Sequence, residues 1–183
     1  MISLKKLSEI TKPTSIAIGS FDGLHEGHRS LIKTVVEESE YSPTIVSFWP
    51  HPREILFKET RLRLDLPDEK LPLLESLGIE QLVLIPFDIN LSKLSADKFI
   101  KEIVLNKLLA KSISIGQNFR FGYKRSGDIN TLKELLKKTN VKLKIIPILE
   151  DQFGIISSSR VRKLLLDYDL DNARKLLKRP YTF

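Results

Sequence analysis

Two of the chain's three histidines stand one helical turn apart in the run Ile16-Ala17-Ile18-Gly19-Ser20-Phe21-Asp22-Gly23-Leu24-His25-Glu26-Gly27-His28. A β-branched strand there leads into a glycine-bearing turn and then a helix, because Leu31, Ile32, Val35 and Val36 recur with the helical period. The spacing predicts His25 just before the helix and His28 in its first turn. Backbone N–H groups without helical partners collect at that end and the macrodipole adds positive potential, so an anion such as phosphate is favoured there. Taken alone, the same residues also fit surface histidines beside glycines that merely punctuate a turn.

Three other segments carry chemistry. In Phe48-Trp49-Pro50-His51-Pro52 a histidine lies between two prolines, which fix φ and hold a loop rigid enough to aim a side chain. A plain strand-terminating turn fits as well. Residues 116–128, which include Gly116, Asn118, Phe119, Arg120, Phe121 and Gly122, hold two phenylalanines, a tyrosine, three cations and three glycines. Flat rings and guanidinium groups in such a loop could flank a planar heterocycle; alternatively, Phe119 and Phe121 turn into the core while the cations face water. Ile156-Ser157-Ser158-Ser159-Arg160-Val161-Arg162 offers hydroxyl caps and then two arginines at a helix start. Positive charge is unfavourable at that end, so the broken rule points to an anionic ligand held by serine and arginine; a capped surface helix is the plainer reading.

The elements that must position these groups alternate. Apolar, β-rich runs at 15–19, 44–49, 81–85, 112–115 and 142–149 are mostly separated by segments of helical period. This is the pattern of an α/β fold, a Rossmann-like parallel five-stranded sheet with helices on both faces and a small C-terminal helical segment. A helix is expected over 67–77, ending at Gly78, another from a Ser95 cap to about Leu109, and a third capped by Asp128. Residues 86–93 carry no clear assignment. Each candidate segment follows a strand, so all four point to the carboxyl rim of the sheet, where open α/β sheets bind ligands.

With 183 residues, 42% of them hydrophobic, one compact domain over 1–183 is expected. The absence of cysteine excludes disulfides, thiolate nucleophiles and cysteine zinc sites, leaving oxygen and imidazole as metal ligands. Mg2+ carried on substrate phosphates fits that limit best. No stretch reaches the roughly 18 apolar residues of a membrane span, so a cytoplasmic protein is expected. A net charge of +7 would suit nucleic acid, a membrane surface or small polyanions. The lysines are spread along helices such as 132–138, and neither a nucleic-acid nor a membrane partner is expected.

Together these segments resemble the nucleotidyltransferases with a His-x-Gly-His motif near the N-terminus and an Ile-Ser-Ser-Thr-x-x-Arg-like motif near the C-terminus. Among them the chain is similar to the FMN adenylyltransferase module of the bacterial bifunctional riboflavin kinase/FAD synthetase family. Residues 19–25, Pro50-His51-Pro52, 116–122 and the closing 176–181 carry the resemblance, in the family's order and spacing. Ser20 stands where the family often has Asn, Ser159 where it often has Thr, and Lys178 where it often has Gly.

The resemblance implies transfer of the adenylyl group of ATP to FMN, giving FAD and pyrophosphate without a protein nucleophile and with Mg2+ bridging the phosphates. It implies catalytic roles for His25, His28, Ser158 and Arg162, with Gly19, Phe21, Asp22, Gly23, Ser157 and Ser159 also on the ATP side. Pro50, His51, Pro52, Asn118, Phe119, Arg120, Phe121 and Gly122 fall on the flavin side. Arg160 lies off the motif's arginine position. In the family Arg-Pro-Tyr marks the junction with a riboflavin kinase barrel, and no barrel sequence follows Phe183, so no kinase activity is expected of this chain. A related adenylyltransferase or cytidylyltransferase with another phosphate acceptor is the alternative.

Overall fold

A computed structural model describes residues 2–38, 40–60, 63–65 and 67–179, the side chains of 67 and 68 excepted. Six parallel strands form one sheet in the order β1-β4-β3-β2-β5-β6. They are β1 (Ser3–Lys5), β2 (Thr14–Ile18), β3 (Ser42–Trp49), β4 (Gln81–Pro86), β5 (Ala110–Gly116) and β6 (Lys142–Ile146). The five expected strands are all present. The sixth, β1, pairs Ser3 with Gln81 at the sheet edge, and three residues are too few to show a period. β6 ends before Pro147, which has no N–H for a ladder.

The helices are α1 (Glu26–Val36), α2 (Pro52–Phe57), α3 (Pro67–Ser76), α4 (Ile89–Ser92), α5 (Ala96–Lys98), α6 (Ile129–Leu136), α7 (Ser158–Leu166) and α8 (Leu170–Leu177). α5 runs straight into a π-helical stretch, Phe99–Lys107, that completes the helix expected from the Ser95 cap. The caps behave as their residue types require: Ser95 accepts from Lys98 N, Asp128 from Thr131 N and Asp169 from Asn172 N, each satisfying an N–H that the helix leaves open. α4 lies in the stretch without an assignment and starts at an Asp88 cap. A short antiparallel hairpin, β7 (Glu150–Asp151) and β8 (Gly154–Ile155), precedes α7.

Strand alternation sorts the core. Ile16 and Ile18 of β2 join Val46, Val83 and Ile113 against the π-helical Phe99, Ile100 and Ile103 and α6's Leu132. Ala17, between them, faces the other way with Ile45 and Leu82 onto α1's Leu31, Ile32 and Val35 and α3's Leu74. Burying each such Leu, Ile or Val contributes about 1.5–3 kcal/mol, which is what holds helices to both faces. A third cluster joins α7 and α8 through Val161, Leu165, Ala173 and Leu177, with Leu64.

The order of strands fixes where a ligand fits. From β2 the chain winds to β3 and β4 on one side and later returns to β5 on the other, so the winding reverses at the carboxyl end of β2. The His25–His28 turn leaves the sheet at that point. Pro50-His51-Pro52 leaves the adjacent β3, and residues 116–122 leave β5.

Candidate active site

The turn after β2 is built from conformations that most residues avoid. Phe21, Gly23 and Leu24 have φ of 47°, 89° and 46°. For Phe21 and Leu24 this costs about 1–2 kcal/mol each, and both side chains are fully buried, a gain of about 1.5–3 kcal/mol each that offsets it. At Gly23 a Cβ would come 2.7 Å from Leu64 Cδ1, so only glycine fits. Gly19 continues the ladder, its N–H donating to the Val46 carbonyl at 3.1 Å.

His25 immediately precedes α1, and its carbonyl accepts from the N–H groups of His28 (2.8 Å) and Arg29 (3.1 Å). Its side chain does not cap the helix, which leaves the first-turn N–H groups without that acceptor. The two imidazoles stack with centroids 3.8 Å apart, and Phe21 backs His28 at 5.1 Å. Phe21 therefore supports the pair from the core side. Nδ1 of both rings is buried without a hydrogen-bond partner among the described residues.

Burial pulls His25 down to about 4, with Arg162 adding to the shift and Asp22 opposing it. His28 is held well below the usual histidine range by burial, then by His25 and Lys70. Both rings are neutral at pH 7, each with one N–H to donate. Because the unfolded chain binds protons that the folded pair refuses, stability falls as pH drops through the window from 6.5 towards 4. Between pH 7 and 5 the loss is expected to be about 2 kcal/mol for His25 alone. Urea unfolding across that range checks it; a flat profile, or higher stability at pH 5, would contradict the neutral pair.

Asp22 joins the two ends of the chain. One carboxylate oxygen accepts from Leu64 N at 2.9 Å, the other pairs with Arg162, and the Asp22 carbonyl accepts from Ser158 Oγ at 2.7 Å. These bonds dock the start of α7 onto the turn that starts α1. A Cβ on Gly27 would lie 3.9 Å from the Ile156 carbonyl, so the two helix starts are neighbours. Ser157 caps its own helix by accepting from Arg160 N, and Ser159 is exposed in the first turn. Arg160 turns away: it grips Asp151 at 2.7 and 2.9 Å and the Gly154 carbonyl at 3.0 Å, tying the hairpin to α7.

Beyond β3, Pro52 opens α2, and His51 Nδ1 caps that helix by accepting from Arg53 N at 3.2 Å. Glu54 accepts from His51 N and pairs with Arg63 at 2.6 Å, and the Arg63 guanidinium lies 3.7 Å from the Trp49 ring centre. Trp49 and His51 line a cavity together with Ser20, Asp22 and Arg162. His51 thus shares a cavity with Asp22 and Arg162, the pair that joins the two helix-start segments.

The 116–122 loop divides. Phe121 is 6% exposed, exchanges two backbone hydrogen bonds with Gly127, and belongs to the core. Gly122, at φ 73°, brings its backbone so close that a Cβ would lie 2.6 Å from Ala96 N. Phe119 stacks on Phe121 at 5.5 Å, while Asn118 and Arg120 are exposed and Arg120 reaches Asp128 at 3.3 Å. A row of rings, Phe48 to Phe99 at 6.4 Å and Phe99 to Phe121 at 6.1 Å, joins this loop to the cavity wall.

Several cavity residues were not anticipated from the sequence, among them Glu54, Arg63, Asp65 and Lys70. Lys70 is buried, with Nζ 3.3 Å from the Ser20 carbonyl and 3.7 Å from Asp65, and Asp65 pairs with Arg179 at 2.9 Å. Lys70 lies four residues before the buried Leu74, and a lysine on an apolar helical stripe was the available signal. Among the described residues no cluster of three or more histidines and carboxylates could hold a metal ion, and no helix is long and apolar enough to cross a membrane.

Residues 7–160 match the family model described as FAD synthetase, a span that includes every candidate site residue except Arg162. The chain belongs to the FAD synthetase family. A bifunctional riboflavin kinase/FMN adenylyltransferase from Buchnera aphidicola subsp. Schizaphis graminum is 37% identical over 98% of this chain and 59% of its own length. The enzyme of the same description from Escherichia coli strain K12 is 32% identical over 91% of this chain and 54% of its own. The chain thus spans rather more than half the length of these FAD synthetase relatives. The crystal structure of a Streptococcus pneumoniae protein described as a macrolide-efflux protein superposes with a TM-score of 0.85 at 27% identity, covering 97% of this chain and 60% of that one. The closing Pro180 and Tyr181 of the family's junction sequence lie outside the described residues.

Proposed function

We propose that residues 1–183 form one adenylyltransferase domain that converts ATP and FMN into FAD and pyrophosphate. The observation that supports this reading is the Asp22 junction, which bonds the turn leading into His25 and His28 to Ser158 and Arg162, with Asp22 and Arg162 lining a cavity together with His51. Family membership supplies the acceptor. A phosphate oxygen of FMN forms a bond to the α-phosphorus of ATP as the bond to the β-phosphate oxygen breaks, and pyrophosphate leaves with that electron pair. Phosphate monoesters lose their second proton near pH 6, so the attacking group is already ionised at pH 7 and needs no general base.

The protein's work is positioning and stabilisation of charge. His25 and His28 act as neutral N–H donors to the triphosphate where charge grows. Ser158, Ser159 and Arg162 hold the departing pyrophosphate, with Asp22 keeping Arg162 aimed until the nucleotide arrives. Pro50, His51, Pro52, Asn118, Phe119 and Arg120 receive the flavin. The cavity carboxylates Asp22, Glu54 and Asp65 are all engaged by cations, so magnesium enters on the ATP phosphates as part of the substrate, neutralising them. Such a reaction belongs in the cytoplasm, where ATP is supplied.

Arg162→Ala is expected to raise the KM for ATP about tenfold or more and to leave that for FMN within about threefold, because one charge-assisted contact is lost. Steady-state kinetics with each substrate varied checks this, and unchanged ATP kinetics removes Arg162 from the site. The reading as a whole is tested by offering ATP and Mg2+ with FMN, nicotinamide mononucleotide or pantetheine phosphate. FMN should be the preferred acceptor; faster consumption of another phosphate ester would overturn the assignment.

A further inference from the structure

The acceptor in the proposed reaction is a phosphate dianion that must approach a triphosphate, and like charges at that range repel strongly unless a cation lies between them. The residues assigned to the flavin offer one permanent cation, Arg120, which is exposed and paired with Asp128 at 3.3 Å. Lys70 supplies a better-placed charge. Its side chain is 8% exposed and lines the cavity shared by Asp22, Trp49, His51 and Arg162. Its hydrogen-bond acceptor, the Ser20 carbonyl, belongs to the turn that leads into His25 and His28.

Its bonding is incomplete for a structural ion pair. An ammonium has three N–H groups to donate, and Lys70 makes a 3.3 Å hydrogen bond to the Ser20 carbonyl and a 3.7 Å ion pair with Asp65. Two solvent-facing lysine pairs close further, Lys142 with Glu38 at 2.6 Å and Lys101 with Asp97 at 2.8 Å, whereas the 3.6–3.8 Å pairs of Lys33, Lys137 and Lys178 lie in water, which supplies the acceptors a buried ammonium lacks. The Asp65 oxygen facing Lys70 is buried without a hydrogen bond among the described residues. Buried charges this loosely satisfied are costly, and their persistence at a cavity wall marks a place for a ligand.

We propose that Lys70 binds the phosphate of the flavin acceptor, donating from Nζ to its non-attacking oxygens while Asp65 is the partner it leaves. The assignment rests on the adenylyl-transfer reading. Lys70 forms no covalent bond; it holds the acceptor in line and screens it from the triphosphate. Asp65 stays anchored through Arg179 as the lysine moves, which keeps the loop at 63–65 in place.

The test compares FMN with riboflavin, which has the same ring system and lacks the phosphate. Lys70→Met alone would strand the Asp65 charge, so the informative variant is Asp65→Asn/Lys70→Met, which removes both charges and leaves an amide oxygen to accept from Arg179. Flavin fluorescence titration should show riboflavin affinity within about twofold of the parent protein and FMN affinity lowered about tenfold or more, as expected for loss of one charged hydrogen bond. FAD formation should fall although unfolding remains cooperative. Asp65→Asn alone keeps Lys70 and should keep the preference for FMN, and Lys70→Gln gives an independent comparison that should lose it.

An undiminished preference for FMN in the double variant, or recovery of the parental rate once both charges are gone, would overturn the assignment and leave Lys70 a counter-ion. Failure of the parent protein to form FAD would instead overturn adenylyl transfer. The two failures are therefore distinguishable.

Discussion

Replacement of His28 by alanine is expected to lower kcat for FAD formation by about 10²–10³-fold, the usual cost of removing one preorganised donor from a charge-developing site. Flavin affinity should change by less than about threefold, because the residues proposed to receive the flavin lie on other segments, 50–52 and 118–120. The size of the effect follows from the ring's state. A neutral His28, kept so by burial and by the neighbouring His25 and Lys70, makes one oriented N–H donor, stacked at 3.8 Å on His25 so that it cannot swing away. His28→Gln restores an N–H donor without the ring and should recover part of the loss. Equal losses in turnover and flavin binding for both variants would mean that His28 only shapes the cavity.

The second large effect belongs to Asp22, as a loss of stability. In Asp22→Ala, Arg162, whose side chain is 11% exposed, would lose the Asp22 carboxylate, and Leu64 N its 2.9 Å acceptor. Breaking a buried pair by removing one partner costs about 3–5 kcal/mol, a large fraction of the 5–15 kcal/mol typical of a folded domain. Asp22→Asn can still accept from Leu64 N and should cost less. Urea unfolding measures both; a loss below about 1 kcal/mol for Asp22→Ala would show that α7 does not depend on this bracket.

Asp22 also illustrates what could be read from the amino acids alone. Its membership of the turn was legible, since Gly19, Gly23 and the helical period after His28 announce a strand, turn and helix. Its pairing with Arg162 was not, because 140 residues separate them and no local pattern reports such a contact. The arginines at the α7 start break the charge rule alike in the sequence, and the structure separates them: Arg162 pairs with Asp22 at the cavity while Arg160 grips the hairpin through Asp151. Phe121 resisted for another reason. An aromatic residue between glycines looks the same whether it will stack on a ligand or fill a core, and the choice is made by Phe99 and Gly127, which come from other elements. The edge strand β1 and the helix α4 are three and four residues long, below the length at which periodicity carries information.

The cavity cations show the same division. Arg162 announced itself by breaking the charge rule at a helix start, whereas Lys70 needed its place on the Leu74 stripe to be noticed. Asp65 had no signature at all; its burial depends on Arg179, 114 residues away.

The central claim, direct transfer of adenylate from ATP to FMN, is tested most directly by following ATP labelled at the α-phosphorus in the presence of Mg2+ and FMN. The label should appear in FAD, one pyrophosphate should be released for each FAD formed, and no label should remain on the protein when FMN is omitted. Pyrophosphate release without FAD, or label retained on the protein as a covalent adenylate, would contradict it.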